Sequence, residues 1–174
     1  LRGAVAGALA AEDRITRLFV SAIEHDSVRA NAAALGETVP GLKLSEVPVT
    51  KDGVVDLAAL RLQLMQGKGR ALISIMAANN ETGVVQDIAA IGRLVKTEAG
   101  EDALFHVDAV QAAGRIELSF ATSGADYMTL SAHKIYGPKG VGALVLDKRI
   151  ELKPLVSGGG HERGMRSGTL NVPG

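Results

Sequence analysis

Lys134 stands just past a short apolar run, Tyr127 to Leu130, with Ser131 and His133 beside it and Gly137–Pro138 after it. The run predicts a buried strand. An amine at the end of such a strand is open to desolvation, which lowers its pKa and frees it as a nucleophile. Ser131 and His133 can donate to an anion. A lysine that holds an aldehyde cofactor as a Schiff base beside a phosphate needs these groups. A solvated surface turn would use the same residues, so both readings stay open on this stretch alone.

Asp108 adds a second element. It closes another apolar run, Phe105 to Val107, and open α/β sheets place ligand groups at strand ends. A carboxylate there can hold a pyridinium N–H, the partner expected for pyridoxal phosphate. The plainer reading of Asp108 is a helix N-cap.

Four motifs carry a resemblance. NNETGVVQDI at 79–88, HVDAVQ at 106–111, SAHKIYGPKGVGAL at 131–144 and GGGHERGMRSGT at 158–169 resemble the cysteine desulfurases. Those enzymes belong to the class V aminotransferase group of fold-type I pyridoxal phosphate enzymes. The motifs run in order through nearly the whole chain. The resemblance implies that residues 1–174 are a central piece of the cofactor-binding large domain, without the N-terminal segment and the small domain.

Composition sets the bounds. The 174 residues suit one domain, and 47% are hydrophobic, enough for a core. Net charge is +0. That gives no support to nucleic acid or an anionic membrane as partner. No apolar run reaches membrane-spanning length and no leader is visible, so the cytoplasm is the expected compartment. Cysteine is absent. Disulfides, thiolate metal sites and a cysteine nucleophile are thereby excluded, and no metal site is expected. In the family a catalytic cysteine carries the sulfur, on a loop beyond these motifs. The chain is therefore expected to be a fragment.

The elements that must position the chemistry follow a βα rhythm. Leu1 to about Arg17 predicts a helix, from its alanine and leucine content. Leu18 to Ile23 predicts a core strand, ending in Glu24, His25, Asp26 and Ser27. Val28 to Leu35 predicts a short helix stopped by Gly36. Leu42 to Val49 reads as a strand, and Lys51–Asp52–Gly53 as a turn. Asp56 is expected to cap a helix with Leu57, Leu60 and Leu64 on its apolar face. Ala71 to Ala77 predicts a central parallel strand that ends at Asn79 and Asn80. A helix over 87–98, burying Ile88, Ile91, Leu94 and Val95, stops at Gly100. Strands at 104–107 and 127–130 follow, separated by a polar connector over 119–126. Val141 to Leu146 is predicted to turn back antiparallel. The pattern gives an α/β fold: a mostly parallel sheet with helices on both faces. One site at the carboxyl edge would collect Lys134, Asp108, Asn80 and His25.

The resemblance assigns roles. Lys134 holds pyridoxal phosphate and, once released, moves protons at the substrate carbon. Asp108 keeps the ring nitrogen protonated. His25 stacks on the ring and serves as a second catalytic residue. Ser131 and His133 bind phosphate, joined by Thr169 from a second copy. Asn80 and Gln111 bind the phenolic oxygen or the substrate. L-cysteine is the implied substrate, a homodimer the implied assembly, and a sulfur-acceptor scaffold protein the implied partner in iron–sulfur cluster synthesis. Two other readings are weighed. A selenocysteine lyase or kynureninase-like hydrolase would share the site, but the motif at 158–169 favours a desulfurase. A non-catalytic scaffold would fit the missing cysteine, and an absorbance scan with pyridoxal phosphate separates it from the enzymes.

Overall fold

Strand β1, Ile15–Ser21, is buried at almost every position, as expected for a strand covered on both faces. The computed structural model describes residues 14–150 and 152–173. Most of the predicted first helix, residues 1–13, lies outside them. Its predicted end does not hold, because Ile15 to Arg17 already belong to β1. Helix α1 follows at Asp26–Thr38 and strand β2 at Lys43–Val47. Helix α2 spans Leu57–Met65 and strand β3 Arg70–Met76. Helix α3 covers Ile88–Ala99, strand β4 Leu104–Asp108 and the short helix α4 Phe120–Ser123. Strands β5, Tyr127–Ser131, and β6, Gly142–Leu146, complete the sheet.

The six strands lie in the order β2-β1-β3-β4-β5-β6. The first five are parallel, and β6 runs antiparallel to β5. One face packs Val28, Ala32 and Leu35 of α1 against Leu18, Val20, Leu72 and Leu104. The other packs Leu60 and Leu64 of α2, and Ile88, Ile91 and Val95 of α3, against Phe19, Ile73, Ile75 and Phe105. Alternation along each strand assigns residues to faces. His106 and Asp108 thus share the α1 side with Ser74 and Thr129. Burying each large apolar side chain contributes about 1.5–3 kcal/mol.

Capping explains the helix starts. Asp56 accepts from the Ala59 amide at 3.0 Å, and Asp87 accepts from the Ala90 amide at 2.9 Å. Gly100 ends α3 at φ 87°, a conformation that suits glycine. Gly36 does not end α1. The helix runs on to Thr38 and stops at Val39 before Pro40, which disfavours a helical residue ahead of it. Leu57 is exposed, so the buried face of α2 is Leu60 and Leu64. The connector over 119–126 contains the single turn of α4. No helix among the described residues is long and apolar enough to cross a membrane.

Candidate functional site at the carboxyl edge of the sheet

Parallel strands put their carboxyl ends at one edge, and β1, β3, β4 and β5 are neighbours there. His25 follows β1, Asn79 and Asn80 follow β3, Asp108 closes β4, and Lys134 follows β5. Register tightens the grouping, since Asp108 pairs with Met76 on one side and Thr129 on the other. Asp108 is therefore a strand residue and not a helix cap.

Asp108 is 8% exposed. Its Oδ1 accepts from the Val110 amide at 3.0 Å. Burial pushes its carboxyl up, while the Val110 bond and the charge of His25 pull it back. His25 caps α1, with Nδ1 accepting from the Ser27 amide at 3.1 Å. With Nδ1 so used, the neutral ring carries its proton on Nε2.

Lys134 is half-buried and closes a 3₁₀ turn, Ala132–Lys134. The Gly137 amide donates back to the Ala132 carbonyl at 2.8 Å and closes the loop. Ser131 Oγ and His133 Nδ1 lie 2.7 Å apart. Gln111 reaches the same turn through Arg115. The guanidinium donates to Gln111 Oε1 at 3.1 Å and to the Lys134 carbonyl at 3.2 Å.

The two asparagines after β3 divide their work. Asn79 is buried, and its Oδ1 accepts from the Glu81 and Thr82 amides at 3.0 and 2.8 Å. That is an Asx turn. Asn80 stands exposed at the edge. Thr169 is exposed in the irregular segment beyond β6. No hydrogen bond ties it to the other predicted site residues among the described residues. Nor do the described residues include a group of three His, Asp or Glu able to hold a metal.

Sequence reasoning missed three features. Glu24 is buried beside Asp108, and burial pushes its carboxyl up to about 8. Ser74, His106 and Thr129 form a chain across β3, β4 and β5. Arg115 couples Gln111 to Lys134. The available signal was a polar residue at an inward position of an apolar strand, as at Ser74 and His106.

This arrangement defines an open α/β protein with amine, carboxyl and imidazole groups gathered at the carboxyl ends of adjacent strands. The chain belongs to the aminotransferase class-V family, whose model matches residues 4–174. It is 49% identical over 153 residues to the cysteine desulfurase IscS of Anaeromyxobacter sp., covering 87% of this chain and 36% of that protein. Among solved structures, a NifS-like protein superposes with a TM-score of 0.88 at 42% identity, over 96% of this chain and 44% of that one. SspA in complex with cysteine superposes with a TM-score of 0.81 at 33% identity, over 91% of this chain and 44% of that one. The chain spans 36% to 43% of the length of the curated relatives it matches.

Proposed function

We propose that this chain is the cofactor-binding part of a pyridoxal phosphate-dependent cysteine desulfurase acting on L-cysteine in the cytoplasm. One observation carries the reading: buried Asp108 and the Lys134 turn lie on adjacent strands at one edge. Members of the class V aminotransferase family use pyridoxal phosphate. The donor set here fits that group. One oxygen of Asp108 is engaged by Val110, and the other has no hydrogen bond among the described residues. It can accept a ring N–H. Ser131 and His133 offer a polar pair to a phosphate.

Bound there, pyridoxal phosphate supplies an electron sink for bonds at the substrate carbon. The chain's own residues do the rest. The Lys134 amine bears the cofactor and moves a proton at that carbon when free. Asp108 keeps a proton on the ring nitrogen. His25 covers the ring face. Asn80 and Gln111 orient the phenolic oxygen or the substrate, and Arg115 holds Gln111 in place. Thr169 completes the phosphate site of a second copy, as the dimer reading requires. The chain has no cysteine to accept sulfur, so it is inactive alone. A thiol from outside these residues must take the sulfur and pass it to an acceptor protein.

Reductive trapping tests the reading. The protein is mixed with pyridoxal phosphate, reduced with borohydride and digested for peptide mapping. The expected product is a modified Lys134. Modification mainly at Lys139, or none, overturns the assignment.

A further inference from the structure

None of these roles uses Glu24, a carboxyl only 4% exposed. It lies in the turn between β1 and α1, one residue before His25. Its Oε1 accepts from Ser21 Oγ at 2.6 Å and also from the Met76 amide. Ser21 closes β1, and Met76 closes β3 in register with Asp108. A second tie runs alongside, from Asn79 Nδ2 to the Ile23 carbonyl at 3.0 Å. Residues 23 and 24 are thus pinned from β3, and His25 leaves that pinned point to start α1.

We propose that Glu24 is a positioning residue of this site: its buried carboxyl clamps the exit of β1 to the exit of β3 and so sets where His25 stands relative to Asp108. The proposal deepens the cofactor reading and rests on it for its meaning, but its test needs no cofactor.

The state of the clamp follows from its second oxygen. Oε2 is shut off from solvent and has no hydrogen-bond partner among the described residues. A bare buried carboxylate oxygen carries a large desolvation cost. Protonation on Oε2 removes the charge, leaves the smaller cost of a neutral hydroxyl and leaves Oε1 to accept both donors. Burial accordingly raises Glu24, the Ser21 and Met76 bonds oppose this, and the charge of Asp108 adds to it. Asp108 of β4 and His25 of the same turn are the charged groups acting on this pair of carboxyls. Burial raises both carboxyls, and it carries Glu24 up to about 8, so Glu24 is held as a neutral acid at neutral pH.

Glu24→Gln and Glu24→Ala separate the outcomes. The readouts are amide exchange at Met76 and the imidazole resonances of His25, taken without cofactor at neutral pH. Glu24→Gln keeps a neutral acceptor, so both readouts should stay at wild type. Glu24→Ala should speed Met76 exchange by about tenfold or more, as loss of a buried bond implies, and shift the His25 resonances. An unmoved His25 in Glu24→Ala overturns the proposal. So does a Glu24→Gln protein that behaves like Glu24→Ala. Should Glu24→Ala not fold, wild type and Glu24→Gln are compared from about pH 6 to 9.5. Wild type alone should then exceed the ordinary base-catalysed exchange slope at Met76 up to about pH 8 and return to it above. Parallel curves overturn the clamp. Failure of every variant to take up pyridoxal phosphate would instead strike the functional proposal.

Discussion

His106 Nε2 lies 2.6 Å from Thr129 Oγ1, while its Nδ1 lies 2.8 Å from Ser74 Oγ. One imidazole therefore joins three adjacent strands, immediately beneath Asp108. Both ring nitrogens have hydroxyl partners that can donate or accept, so a neutral ring is satisfied in either tautomer. A charged ring pairs with no carboxylate among the described residues, and burial pushes His106 down to about 3.

The first prediction concerns acid stability. His106 has an ordinary pKa of 6.5 and a folded one of about 3. The unfolded chain binds more protons between these values, so stability falls as pH drops through that window. The slope from this group is about 1.4 kcal/mol per pH unit. Replacing His106 with Gln removes the titration. Urea unfolding from about pH 3.5 to 7 should show a flatter curve for the variant than for wild type, and matching slopes would refute the assignment.

Glu24 acts in the opposite sense. Its ordinary value is 4.5 and its folded value about 8. The folded chain holds the extra proton in between, so stability falls as pH rises through that window. His106 and Glu24 offset each other between about pH 4.5 and 6.5, each at about 1.4 kcal/mol per unit. Above about 6.5 only the Glu24 loss remains of the two, and it levels off near 8. Glu24→Gln should abolish this decline. The check is urea unfolding of both proteins from about pH 6.5 to 9.

The same pair shows what the sequence could and could not reveal. Asp108 and Lys134 were legible because each closes an apolar run, and the parallel fold sends such ends to one edge. The sheet itself was legible from the spacing of those runs. Glu24 was read as one polar residue of a turn. Its burial depends on Met76, 52 residues away, whose amide it accepts. His106 was read only as part of a motif, because its partners sit on two other strands. Local signals also misled at Gly36. Glycine often stops a helix, but here Gly36 packs against Leu44 of β2 within α1.

Asp108→Asn tests the ring-nitrogen partner. The amide is close in size, so the fold should persist. An amide does not hold a proton on the ring as a carboxylate does. Affinity for pyridoxal phosphate should weaken about tenfold or more, corresponding to at least about 1.4 kcal/mol. Absorbance titration measures it, with thermal unfolding as the control for folding. Equal affinity in the variant would remove Asp108 from the site.

Gly137→Ala tests the turn that carries Lys134. A Cβ at Gly137 would stand 2.8 Å from the Ala132 Cβ and 3.1 Å from the Ala132 carbonyl oxygen. Those are the atoms that close the loop, since the Gly137 amide donates to that same carbonyl. No flexible side chain can yield there, so the 3₁₀ turn must shift. Overpacking of this kind costs about 1–3 kcal/mol in a packed core and less in a half-exposed loop. The effect on the site should exceed the effect on the fold, because Lys134 sits between the two clashing residues. Borohydride trapping at Lys134 should therefore fall severalfold, with the thermal midpoint lowered by only a few degrees, about 2–4 °C per kcal/mol at this chain length. Tyr136, next to it, provides the matched control. It holds φ 66° and its side chain is fully exposed, so Tyr136→Gly relieves backbone strain without touching Ala132. Trapping should stay at wild type in Tyr136→Gly and fall severalfold in Gly137→Ala. Equal trapping in both would show that the placement of Lys134 does not depend on the closed turn.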